Sequence, residues 1–386
     1  MSHLRARGKH FASEGLLREL ASLRARLAPA AADDRDRLLL ERFLAVVLDK
    51  WDGAYSYQSY LAIDLIDSQL ARVRCDVTNS RDEWVGLLLA DVWTFEDGAR
   101  NGAHDRLPQM RPDSRLMDKR ARLIGAALTP VAERLQVTGA ILPHSVGGLC
   151  QAIRSRASPE HAMVLELAMQ PVHTIHDEYL FIRVLQSFEV TFAAMGQQIS
   201  EAILRIREKR PGEAAQNILW CRDIFSEART LFSLLATMQV ESFRTFRVYT
   251  DGASAIQSES YKYFEARCGK PARERLDSPA FEAVPKLREE ITEDWSDLSS
   301  TVREAAEAGL LDPDGLALVR AAAEELEKVH QRWKQTHWRL GVRMIGDERG
   351  TGYTVGVPYL EDVIGNRLFR TPLGTDQGAL RGTETG

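Results

Sequence analysis

Two histidines seven residues apart, His330 and His337, fall on nearly the same face of one helical stretch, two turns from each other. Neither has a histidine or carboxylate four residues on, so the paired-ligand arrangement of a helical zinc site is absent. Trp333 and Trp338 flank His337, and the apolar Leu340, Val342 and Met344 follow. A lone histidine in such a helix serves either as a core or surface residue or as a donor. A neutral imidazole carried by a rigid helix into an apolar slot is the protein half of a haem site, which needs one strong axial ligand and a dry pocket.

A second constellation is Phe243-Arg-Thr-Phe246-Arg247, which places two aromatics and an arginine at i, i+3 and i+4 on one helical face. The guanidinium is a planar fork for a carboxylate, and the rings beside it form a flat apolar wall. Together they suit an amino acid with an aromatic side chain; the alternative is a surface arginine paired with Glu241. The glycine-rich run Gly350-Thr351-Gly352 lacks the spacing of a phosphate loop and no strand precedes it. It reads as a flexible loop over a site, with Thr351 offering a hydroxyl. Tyr57 and Tyr60, at i and i+3, are either core and interface residues or pocket residues.

The elements that must position these groups are helical. Apolar residues recur at the helical period along most of the chain, and period-two alternation is nearly absent. The pattern predicts helices over 12–28, 35–50, 57–72, 176–209 (stopping before Pro211), 214–242 and 314–345, with a short one around 359–367. Asp251–Gly252 marks a turn inside 243–264. Residues 73–170 carry flanking helices around a breaker-rich centre, with Pro108, Pro112, Pro143 and Gly147–Gly148 as punctuation.

With 386 residues, 44% of them hydrophobic and 27% charged, the chain has the composition of a soluble globular protein of one large or two ordinary domains. Its 50 basic and 55 acidic residues give a net charge of -5, which argues against a dedicated nucleic-acid surface. The arginines of the first 26 residues alternate with Glu14 and Glu19 and read as a solvated helix face. Cys75, Cys150, Cys221 and Cys268 are widely spaced, so reduced thiols are expected rather than a disulfide frame or a zinc site. Without an apolar leader or a run of about 18 apolar residues, a cytoplasmic protein with no membrane partner is the expectation.

Five segments, in order, resemble the tryptophan 2,3-dioxygenase family. Tyr57-Gln-Ser-Tyr60-Leu61 is similar to the family's YxxYL, and His176-Asp-Glu-Tyr-Leu-Phe181-Ile182 to its DEHLFI helix start. Phe243-Arg-Thr-Phe246-Arg247 followed by Ala253-Ser-Ala-Ile-Gln257-Ser258 resembles FxxFR…SGFQS, and Trp333-Lys-Gln-Thr-His337 with Gly350-Thr351-Gly352 resembles WRxxH…GTG. The likeness covers about 50–70 and 174–370. It implies an all-α haem-binding fold of the tryptophan/indoleamine dioxygenase type, with a helical insertion. It further implies haem b on His337, O2 as co-substrate, and Arg247 and Thr351 on the carboxylate and ammonium of an aromatic amino acid. Phe181, Phe243, Tyr57, Tyr60 and Leu61 would line the pocket, Gly350 and Gly352 would flex over it, and the chain would form a homo-oligomer, tetramer or dimer, in which the YxxYL segment reaches a neighbouring subunit.

The implied organisation is an N-terminal helical segment (1–56), a catalytic domain (57–72 and 171–372), an insertion (73–170) and a flexible tail (373–386). Two departures qualify the resemblance: the insertion, and Leu185 in the distal pocket, where the family has a histidine. Leucine neither accepts a hydrogen bond from an indole N–H nor shuttles a proton. The expected activity is dioxygenation of L-tryptophan or a substituted tryptophan to an N-formylkynurenine-type product. The alternatives are a haem-dependent hydroxylase of a modified aromatic amino acid and a non-catalytic binder of haem or an aromatic amino acid.

Overall fold

The computed structural model describes residues 2–27, 34–70, 77–137, 145–250, 252–346, 350, 356–369 and 373. Among them the chain is all-α, as its periodicity predicts; the extended pairing found there is a single parallel bridge, Gln109 to Ile175. The helices in order are α1 (Ser2–Arg7), α2 (Glu14–Arg26), α3 (Arg35–Leu48), α4 (Tyr57–Tyr60), α5 (Ile63–Leu70), α6 (Val77–Arg100), α7 (Ser114–Arg134), α8 (Val146–Arg154), α9 (Pro159–Leu167) and α10 (His176–Arg207). Then follow α11 (Pro211–Glu227), α12 (Arg229–Leu235), α13 (Val240–Arg247), α14 (Glu259–Cys268), the short α15 (Arg273–Leu276), α16 (Pro279–Glu282) and α17 (Pro285–Glu290), α18 (Leu298–Glu307), α19 (Pro313–Met344) and α20 (Val357–Asp362). None of the described helices is long and apolar enough to cross a membrane.

Local sequence sets most of these boundaries. Ser13, Asp34, Asp113, Ser145, Ser158, Ser258 and Asp297 each accept a hydrogen bond from a backbone N–H three residues on, satisfying donors that a helix start leaves open. Pro159 and Pro211 stand in the first turn, where the missing N–H costs nothing.

The chain forms two compact units. The first draws on 1–190, 230–257 and 340–356, the second on 191–229, 258–339 and 357–386. In the first, α6, α7 and α8 pack on one another over Trp84, Leu88, Ile124 and Leu128, all fully buried. Gly8 lies close beneath the Val172 carbonyl with φ +82°, and a Cβ there would fall 2.4 Å from that oxygen. The next residue, Lys9, is buried with Nζ 2.6 Å from Asp49 Oδ2 and 3.1 Å from the Val46 carbonyl. In the second unit Phe225, Phe264 and Phe281 are fully buried around Ile218, Val302 and Leu326.

Two predicted helices are broken. The stretch 57–72 divides at Leu61–Ala62, where Ala62 adopts φ +51°. The interruption leaves the Leu61 carbonyl outside a helix, and Gln186 Nε2 donates to it at 2.8 Å. The stretch 214–242 divides into α11, α12 and the start of α13; ahead of α13, Thr237 Oγ1 donates to the Leu234 carbonyl and the Gln239 N–H goes to Asp177 instead of continuing the ladder. In both places a long-range side chain takes a backbone group that the local pattern assigns to a helix.

An L-residue in the left-handed region costs roughly 1–2 kcal/mol. Ala62→Gly is therefore expected to raise unfolding free energy by up to about 1 kcal/mol, and Ala62→Val to lower it by more than that. Urea denaturation of the two variants reads the difference, and a glycine variant weaker than the parent would rule out strain at this break.

Candidate active site

The first unit gathers most of the sequence-derived pocket residues. Phe181, on α10, sits at the centre of an aromatic group: its ring centroid is 6.4 Å from Tyr60, 5.7 Å from Phe243 and 5.4 Å from Phe246. Phe243 and Phe246 meet edge to face at 5.5 Å, the geometry that ring quadrupoles favour. Tyr57, Tyr60 and Leu61 are buried, as are Leu185 and Phe243, whereas Phe181 and Arg247 stay partly exposed. Helix α13 ends at Arg247, four residues or about one turn past Phe243, so the guanidinium and the Phe243 ring leave the same face of a short helix.

Both tyrosine hydroxyls are anchored inside this chain. Tyr57 Oη donates to Glu189 at 3.0 Å and Tyr60 Oη to Glu178 at 3.3 Å, while the Tyr57 backbone N–H donates to Gln257 at 2.9 Å. That last bond ties the YxxYL segment to the segment following α13. Glu178 also accepts the N–H groups of Val172 and His173 at 2.7 and 2.9 Å. Burial pushes its carboxyl up to about 8, although these donors and the Lys9 charge pull the other way. Sequence reasoning missed Glu178 and Glu189 as anchors; the only signal is that Glu178 lies inside the DEHLFI-like run.

The second unit holds His337. Its ring is partly exposed by surface area, yet burial lowers its pKa to about 4, so the imidazole is neutral across the physiological range. The Trp333 ring stands 5.5 Å away, and Trp333 in turn packs on Phe192, Phe225 and Tyr261. His330 is engaged differently: it is buried, 2.8 Å from Tyr261 Oη and 3.6 Å from Glu327. The structure thus separates two histidines that the sequence places on one face. Thr351 and Gly352 lie outside the described residues; Gly350 is described.

These surroundings fit a haem. The donor is in the neutral form that binds metal. A haem needs one axial donor from the protein, which a single imidazole can supply. One residue on, the Trp338 Nε1–H is buried with no hydrogen-bond acceptor among the described residues, a donor that an oxygen-bearing guest would satisfy.

No protein-family model matches the chain. It is 29% identical to the tryptophan 2,3-dioxygenase of Polaromonas naphthalenivorans over 237 residues, 52% of this chain and 83% of that protein. It is 28% identical to the tryptophan 2,3-dioxygenase of Anaeromyxobacter sp. over 249 residues, 56% of this chain and 90% of that protein. A match to the enzyme of that name from Bradyrhizobium diazoefficiens is 27% identical over 52% of this chain and 84% of its partner. The chain is related to the tryptophan 2,3-dioxygenases. The relatives are matched along most of their own length, while nearly half of this chain stays outside each match.

A carboxyl whose folded pKa lies above its unfolded value holds extra protons in the fold, so its contribution to stability falls as pH rises between the two values. For Glu178 the window runs from about 4.5 up to about 8. Thermal melts across that window are expected to show Tm declining with pH, with the slope reduced in Glu178→Gln; an unchanged slope in the variant would assign the effect elsewhere.

Proposed function

We propose that this chain is a haem-dependent dioxygenase that opens the indole C2–C3 bond of L-tryptophan or a substituted tryptophan, giving an N-formylkynurenine-type product. The observation that carries the reading is Arg247 and Phe243 on one face of α13 with Phe181 against Phe243, in a chain related to enzymes of that name. In this reading His337 would hold the iron of haem b, and the working unit would be a homo-oligomer, dimer or tetramer, in the cytoplasm. When bound, the haem supplies the activation of O2.

The protein's own part is binding and orientation. The Arg247 fork takes the substrate carboxylate as a bidentate pair, with Thr351 at the ammonium–carboxylate end. Phe181 and Phe243, packed edge-on against each other, would present one aromatic wall to the substrate ring, and Tyr57, Tyr60 and Leu61 would complete the lining. Holding the ring in one orientation removes the entropy that a free encounter would carry. Gly350 and Gly352 would give the segment between them the freedom to cover the site and exclude water. His337, kept neutral by burial, would hold the iron without first having to lose a proton.

Leu185 shapes substrate choice. It is buried and apolar, so an unsubstituted indole N–H facing it would lose a hydrogen bond, a cost of about 1–3 kcal/mol. A ring bearing an alkyl group on that side would gain contact instead. The same residue supports a second reading, in which the haem chemistry is hydroxylation of a modified aromatic amino acid, with one oxygen atom retained.

Three measurements test the proposal. Ferrous protein supplied with tryptophan or methyl-tryptophans and labelled O2 should yield a product carrying two labelled atoms; a single atom selects the hydroxylase reading, and no product with any aromatic amino acid sinks both. His337→Ala is expected to abolish haem absorption. Arg247→Ala should keep it while weakening turnover at least a hundredfold, as loss of a charged hydrogen-bonded pair costs about 3 kcal/mol or more.

A further inference from the structure

Helices α6 and α7, within the stretch 73–170 expected from the sequence to be an insertion, each deliver a buried charge to the motif-bearing elements of the first unit. Arg120, on α7, has no exposed surface. Its Nη1 donates to Glu96 on α6 at 2.6 Å and its Nη2 to Asp177 on α10 at 2.7 Å. Nε and Nη2 also reach the Thr237 hydroxyl and carbonyl at 3.1 and 3.2 Å. The other Asp177 oxygen accepts the Gln239 N–H at 2.7 Å. Gln239 is the N-cap of α13 and its own side chain makes no cap bond; its amide instead donates to the Met110 carbonyl, between α6 and α7, at 2.8 Å. The helix that carries Phe243 and Arg247 therefore starts where an Arg120-oriented carboxylate dictates. The negative Asp177 also lies at the positive end of α13, which favours this alignment.

A parallel chain reaches the opposite wall. Asp91 on α6 accepts Arg183 Nε at 2.8 Å, Arg183 donates to the Gln186 side-chain oxygen at 2.9 Å, and the Gln186 amide grips the Leu61 carbonyl. Gln186 adjoins Leu185, so the same chain fixes both.

We propose that the segment carrying α6 and α7 is a brace for the substrate pocket, with Arg120 as a positioning residue that acts on the carboxylate clamp through Asp177 and the first turn of α13. The catalytic half of this proposal rests on the clamp assigned to Arg247 above; the mechanical half does not. Arg120→Lys keeps the buried charge but cannot span Glu96, Asp177 and Thr237 together.

The test combines amide hydrogen exchange with ligand affinity on the purified full chain. In Arg120→Lys, exchange at 239–247 should quicken about tenfold or more, with 195–207 unchanged. Affinity for L-tryptophan should fall about tenfold, with little change for tryptamine, which lacks the carboxylate. In a double-mutant cycle with Arg247→Gln the two losses should not add, because one acts through the other. Arg134→Gln, which breaks a bond to Asp82 between α7 and α6, should alter neither α13 exchange nor the tryptophan–tryptamine contrast. Unchanged exchange over 239–247 would overturn the brace. Quickened exchange with equal losses for both ligands, or with additive losses in the cycle, would overturn its action on the clamp. A parent chain that binds neither ligand would overturn the Arg247 assignment, while the exchange result still decides the brace.

Discussion

Asp177, Glu178, Arg183 and Gln186 are all buried within the first turns of one helix, α10. Burying a charge without a partner is far more costly than burying an apolar side chain, so these residues can be interior only if other segments bring matching groups. Each does. Arg120 comes from α7, Asp91 from α6, the Tyr60 hydroxyl from α4, and the Val172 and His173 amides from the chain just before α10. The requirement to satisfy one polar helix start fixes the places of the other elements in the first unit.

The same requirement explains why the pocket wall is irregular. Leu61 ends a helix because Gln186 takes its carbonyl, and α13 begins at Gln239 because Asp177 takes its amide. Phe181 projects from between these two contacts and meets Tyr60 on one side and Phe243 and Phe246 on the other. An aromatic wall held by buried polar bonds is stiffer than one held by packing alone, since the bonds are directional and lie in a medium of low dielectric constant. Stiffness of this kind suits a site that must hold a flat ring in one plane.

In the second unit the division of labour between His330 and His337 follows from their neighbours. His330 lies against the Tyr261 hydroxyl and Glu327, and Glu327 also receives the Phe369 amide, so that imidazole belongs to the packing of the C-terminal segment. His337 stands two turns on among tryptophans, desolvated and neutral. The two imidazoles thus sit in different surroundings although they share one helix.

The sequence by itself determined the helical class and the long helices 176–207 and 313–344 to within two residues of their ends. These follow from apolar periodicity, capping residues and short motifs, all of which are local or tied to order along the chain. Only the tertiary structure decided where helices break at Ala62 and before α13, which of two equally spaced histidines is absorbed by the core, and what Arg120 does. An arginine in the middle of an amphipathic helix reads as a solvated residue until the carboxylates of two other helices are brought to it. That encounter joins positions 24, 57 and 117 residues apart, and no local pattern encodes it.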